Sequence, residues 1–153
     1  MDVQVIGIKG GAGFSDIVRH FTGMGGDVIL MDPDMVCGRD HILSSVMHAE
    51  RAFRNGTNRS KTLLTEMILY AAGDRQIGRA MEMMRPKDGS ENMVAVILNI
   101  SDPRLGEIGM VRCDSLMEAS PEKVRNLRAD TFDGISCEDA ALEHVAMTDL
   151  LKQ

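Results

Sequence analysis

The chain has 153 residues, 44% of them hydrophobic and 26% charged, which suffices for one sizeable core and predicts one domain. A net charge of −6 excludes a globally cationic nucleic-acid-coating protein. Three widely spaced cysteines, an N-terminus unlike a secretory signal and the absence of any ~18-residue apolar run together predict a cytoplasmic protein with no membrane contact.

The first third of the chain predicts two strands around a helix. Val3 to Ile8 is rich in β-branched residues and reads as the first strand. A glycine-rich turn follows, after which Ser15 is placed to cap a helix that runs to about Thr22. Asp27 to Asp32 reads as the second strand.

The middle of the chain predicts three consecutive helices. The first runs from about Asp40 to Arg54 and stops at Gly56. The next two span about Asn58 to Ala72 and Arg75 to Met84. The helix from Asp40 to Arg54 has an apolar stripe at spacings of four, three and four, which consists of Ile42, Val46, Ala49 and Phe53.

The last third returns to strand and then to helix. Met93 to Ile100 is the most apolar run and the best candidate for a central strand, with a short strand expected over Gly109 to Cys113. Ser120-Pro121 opens one helix and Ser136 opens another that ends near Leu151. This order of elements predicts an α+β fold, a single domain in which a small mixed β-sheet is packed with helices.

Charge is distributed unevenly along the chain. From Arg39 to Lys87 there are nine Lys and Arg against five Asp and Glu, a net charge of +4, while the remainder carries −10. The helical middle is therefore expected to offer a local positive surface on an acidic protein.

A cluster at the junction of the second and third predicted helices is the main candidate site, and it consists of Arg54, Asn58, Arg59, Ser60 and Lys61. Free N–H groups at a helix start beside cations attract phosphates. Asn and Ser side chains can also read the edges of unpaired bases. The alternative is ordinary helix capping with solvated cations, and both interpretations stay open at this point.

The glycine-rich turn suggests a rival function. Gly10, Gly11 and Gly13 precede a helix, and Asp32 ends the second strand about where a ribose-binding acid would lie. The dinucleotide fingerprint is incomplete, because Asp16 stands where its third glycine belongs. The alternatives are a small nucleotide- or dinucleotide-binding protein and a flexible strand-to-helix turn.

Two further features concern polar residues in the helical middle. Cys37, His41 and His48 lack a second pair of ligands at metal-binding spacing, so no zinc site is predicted, and His41 is expected to pack the helix that Asp40 caps. Glu66 interrupts an apolar run. It lies either on a solvated stripe or in a buried place, where Arg39 or Arg75 would suit as its partner better than Arg59.

The middle of the chain also resembles a known family. GRDHILSSVMHAERAFRNG, followed by NRSKTLLTEMILYAAGDRQIGRAM, is similar to the kinase-binding subunit of the KEOPS (EKC) tRNA threonylcarbamoylation complex, the TPRKB-like family. Its members share a Gly-Lys-Asp-His-Leu start, an Asn-x-Ser-Lys-Ser-Leu-x-x-Glu motif and an Arg-x-Ile-x-x-Ala turn. The similarity is strong over about a third of the chain.

The resemblance implies a non-enzymatic subunit without cofactor, metal or small-molecule substrate. Such a subunit would bind the kinase-like ATPase of the complex and the single-stranded CCA end of tRNA. It favours a tRNA-binding role for the basic cluster and for Arg75, and it implies that the last helix takes part in docking. Within that helix the apolar spacing indicates Leu142, Val145 and Leu150 as contacts, with packing onto its own domain as the alternative.

Overall fold

A computed structural model describes residues 1–151, and these form six α-helices and a four-stranded sheet. The α+β fold class is confirmed. In chain order the elements are β1 (Val3–Gly10), α1 (Phe14–Gly23), β2 (Asp27–Met31), α2 (Arg39–Asn55), α3 (Leu63–Ala72), α4 (Ile77–Met84), β3 (Asn92–Leu98), β4 (Met110–Arg112), α5 (Pro121–Leu127) and α6 (Cys137–Leu151).

The sheet has the strand order β2-β3-β1-β4, and every neighbouring pair is antiparallel. β3 pairs on both of its sides, which confirms the central strand predicted from its apolar run. The prediction of a mixed sheet from the strand–helix–strand order is wrong, because no neighbouring strands are parallel within residues 1–151. A helix between two strands allows them to be parallel neighbours, but here β3 lies between β1 and β2.

Alternate residues of the strands build the core on one face of the sheet. Ile6 and Ile8 of β1 point to the same side because side chains alternate along a strand. α1 covers this face with Ile17 and Phe21, four residues apart on one helix face, and both are 0% exposed.

The described chain divides into two compact units. The sheet unit contains Met1–Pro33 and Pro86–Glu118, and the helical unit contains Asp34–Arg85 and the chain from Ala119 onward. The single domain expected from chain length stays a prediction. Between residues 1 and 151 no helix has the length and apolar character needed to cross a membrane.

Several helix starts differ from the prediction, and local hydrogen bonds explain why. Gly13, not Ser15, precedes α1. α3 begins at Leu63 because the Thr62 hydroxyl accepts the N–H of Thr65 at 3.2 Å. The predicted capping role of Ser120 is confirmed, since its hydroxyl accepts the N–H of Lys123.

Candidate functional site

The candidate site lies where α2 ends and α3 begins, both in the helical unit. α2 closes at Gly56, whose φ is 70°, and the N–H of Thr57 donates to the carbonyl of Ala52 at 2.9 Å. The following segment, residues 57–62, is the α2–α3 loop. It holds four of the five residues of the predicted basic cluster.

Glu66 anchors this loop from inside. Its side chain is 0% exposed, so the solvated-stripe interpretation is wrong. The carboxylate accepts the N–H of Ser60 at 2.9 Å and the N–H of Arg59 at 3.1 Å. The structure thus gives this carboxylate two consecutive backbone amides as partners.

These contacts correct the predicted chemistry of the cluster. Three N–H groups at this helix start do not face a ligand: those of Arg59 and Ser60 donate to Glu66, and that of Thr65 donates to the Thr62 hydroxyl. Ser60 is 2% exposed, and the half-buried Asn58 donates its amide to the Ser60 carbonyl at 2.9 Å. Asn58 therefore shapes the loop and Ser60 lies inside it, while their predicted contact with tRNA stays a prediction.

The cations of the cluster do face solvent. Arg59 and Lys61 are exposed on the loop, and Arg54 is exposed in the last turn of α2. Arg75 is exposed as well, but it follows the opposite end of α3, about 15 Å away for a helix of ten residues. Arg54, Arg59 and Lys61 thus lie within eight residues of one another at the α2–α3 junction, whereas Arg75 follows the other end of α3.

The Gly38-Arg39-Asp40-His41 segment has a packing role. The predicted cap at Asp40 is wrong, because α2 begins at Arg39 after Gly38. Gly38 has φ 96°, and a Cβ there would lie 2.6 Å from Oε1 of Glu138. His41 is 0% exposed; its Nδ1 accepts the N–H of Cys37 at 3.0 Å, which leaves Nε2–H to donate to the Ala71 carbonyl at 2.9 Å. His41 therefore ties the start of α2 to the end of α3.

This burial predicts a pH-dependent stability. Desolvation lowers the pKa of His41 from 6.5 to about 4. Between these values the unfolded chain binds a proton that the folded protein does not, so stability is full above pH 6.5 and falls as the pH is lowered to 4. The expected loss is about 3 kcal/mol. Urea unfolding at several pH values measures this decrease in the free energy of unfolding. If a His41→Gln variant showed the same decrease, the effect would belong to other groups.

The same contacts bear on metal binding. Both ring nitrogens of His41 are engaged, and Cys37 is 0% exposed, with burial raising the pKa of its thiol. His48 contacts the Asp149 carboxylate at 3.1 Å. No group of three or more His, Cys, Asp or Glu side chains within residues 1–151 could hold a metal ion.

The topology speaks against the dinucleotide interpretation of the glycine-rich turn. A dinucleotide fold places its first two strands side by side in a parallel sheet, whereas here β3 separates β1 from β2 by about 10 Å, two strand spacings. Asp32 forms an ion pair with Lys87 at 3.8 Å. A Cβ on Gly10 would lie 2.6 Å from the Gly109 carbonyl oxygen, so this glycine serves strand packing.

The last helix turns its apolar residues in two directions. Val145 is 0% exposed and belongs to the core of the helical unit, so its side chain is not on the surface where a contact with a partner was predicted. Leu142 is half-buried, and Leu150 is 58% exposed. In the last two turns of α6 the outer side is formed by exposed apolar side chains, which are those of Ala146, Met147, Leu150 and Leu151; the acidic Asp139 and Glu143 are exposed on the same side nearer the helix start.

Asp149 fixes the end of α6, a role that sequence reasoning missed. Its carboxylate accepts a hydrogen bond from the hydroxyl of Tyr70, which is 0% exposed, and it contacts His48 and Arg51. Burial, and then this hydrogen bond, raises the pKa of Tyr70. A lone acid within the Met-Thr-Asp-Leu-Leu run was the available signal in the sequence.

Comparison with known proteins identifies the family. No curated protein shows significant similarity to the chain. A family model described as kinase binding protein CGI-121 matches residues 22–151. The match extends the resemblance seen in the α2–α4 segment over most of both units. The chain therefore belongs to the kinase binding protein CGI-121 family.

Proposed function

We propose that this protein is a non-catalytic subunit that binds a kinase-like ATPase and holds the single-stranded 3′ CCA end of tRNA. In this role it supports threonylcarbamoylation of tRNA adenosine by a separate catalytic subunit. Membership of the kinase-binding family supports the first contact. The observation that carries the second is the exposed group of Arg54, Arg59 and Lys61 on an otherwise acidic chain.

The chemistry of the loop favours phosphate contacts made by side chains. The backbone amides of Arg59 and Ser60 are engaged by Glu66, so we assign the phosphate contacts to the guanidinium and ammonium groups of Arg59 and Lys61. Aromatic residues, the usual stacking surface for single strands, make up 3% of the chain. We therefore expect modest affinity with a clear dependence on salt.

The outer side of α6 is the surface we assign to the kinase-like ATPase. Met147 and Leu150 are 50% and 58% exposed, and Leu151 is 43% exposed. Exposed apolar side chains grouped on one helix side are typical of a protein contact. Leu142, which is half-buried, lies at the edge of this surface.

Removal of the CCA end tests the tRNA proposal. Filter binding is measured with one tRNA in intact form and in a form that lacks the three terminal nucleotides. We expect weaker binding of the shortened tRNA, because the single strand that contacts the loop is gone while nearly all duplex phosphates remain. Equal affinities would contradict the proposal that this protein holds the CCA end.

A further inference from the structure

We propose that Glu66 is a positioning residue for RNA binding: its buried carboxylate holds the α2–α3 loop in the shape that presents Arg59 and Lys61 to a phosphate backbone. The inference rests on the proposed tRNA-binding function, and it assigns a role to a residue that has no access to RNA itself. Glu66 is 0% exposed, whereas Arg59 and Lys61 are exposed.

The hydrogen bonds show how one side chain can set the loop. The carboxylate accepts the N–H of Ser60 at 2.9 Å and the N–H of Arg59 at 3.1 and 3.3 Å. Hydrogen bonds to an ionised acceptor are shorter and stronger than neutral ones. These hydrogen bonds orient two consecutive peptide planes. The Cα of Arg59 joins the two planes and Lys61 follows directly, so the directions of both side chains depend on these planes.

The anchor is itself on a rigid element. Glu66 lies in the first turn of α3, and its own N–H donates to the Thr62 carbonyl at 3.1 Å. This side chain therefore ties residues 59 and 60 of the loop to α3. Sites built on helices are held more precisely than sites that depend on loops alone.

A positioning role and a purely electrostatic role of Glu66 predict opposite changes in RNA affinity when the side chain is made neutral. Glu66→Gln removes a negative charge close to two cations. If the charge alone mattered, phosphate binding would become tighter. If the carboxylate positions the loop, binding becomes weaker, because the uncharged carboxamide oxygen is a weaker acceptor than Oε1, and the N–H₂ group that replaces Oε2 faces the N–H of Arg59, a second donor, at 3.3 Å.

The experiment is filter binding of an intact tRNA ending in CCA to Glu66→Gln and to Glu66→Asp. The Asp variant keeps the charge but withdraws the carboxylate by one methylene. We expect affinity to fall about tenfold in both, with a smaller slope of log affinity against log salt. Ser120→Ala, which removes the cap of α5, is the stability control and is expected to bind like the wild type. Wild-type or tighter binding by both Glu66 variants would overturn the inference.

A double-mutant cycle separates this inference from the proposed function. In an Arg59→Gln, Lys61→Gln background, Glu66→Asp is expected to change tRNA affinity no further, because it acts through those two side chains. An undiminished effect in that background would overturn the positioning role. Unchanged affinity of the Arg59→Gln, Lys61→Gln protein itself would instead refute tRNA binding by the loop, and with it the inference.

Discussion

Reversing both loop cations, Arg59→Glu with Lys61→Glu, is expected to abolish tRNA binding and leave the melting temperature nearly unchanged. Both side chains are exposed, so their replacement opens no cavity, and surface changes of this kind usually stay within about 0.5 kcal/mol. Each single-strand phosphate contact that is lost should lower the slope of log affinity against log salt by about 0.7 units. Filter binding over a salt series, together with thermal unfolding, measures both effects.

A control with the same change in net charge makes this test specific. Arg19 of α1 and Arg125 of α5 are both exposed and belong to helices other than the two that flank the loop. Arg19→Glu with Arg125→Glu should reduce tRNA affinity much less than the loop variant. If the two double variants lost affinity equally, the loop would be one part of a diffuse electrostatic surface and not a site.

The second large effect concerns α6, where two neighbouring apolar residues are expected to behave in opposite ways. Val145→Arg places an unpaired charge at a position that is 0% exposed, so it should cost several kcal/mol of stability or prevent folding. Leu150→Arg changes a side chain that is 58% exposed, so the protein should melt normally and fail to bind the kinase-like ATPase. Thermal unfolding and calorimetric titration with that ATPase separate the two outcomes.

Val111→Arg is the matched control for the surface variant. Val111 lies on β4 of the sheet unit and is 61% exposed, similar to Leu150. The Val111→Arg variant should melt normally and bind the kinase-like ATPase with unchanged affinity. A Leu150→Arg protein that still bound the ATPase with full affinity would remove the outer side of α6 from the proposed interface.

Much of the fold could be predicted because its signals are local. The central strand β3 follows from the most apolar run, and the end of α2 at Gly56 follows from the left-handed conformation that glycine adopts there. The family was also visible in the sequence, since the Gly38–Met81 segment carries enough of its motifs to be matched without a structure.

The tertiary structure decided the direction and the partners of side chains. Sequence spacing put Val145 and Leu150 on one apolar helix, but only packing shows that the first is buried and the second is not. The strand–helix–strand order predicted a mixed sheet, but β3 lies between β1 and β2 and every neighbouring pair is antiparallel.

The basic cluster shows the same division most clearly. Its positive charges, which would attract phosphate, can be identified from the residue types alone. Whether its amides are free depends on where the chain folds back, and there the Glu66 carboxylate accepts the N–H groups of Arg59 and Ser60. A buried carboxylate must be satisfied by donors that the fold brings to it, and these are set by tertiary geometry and not by spacing along the chain.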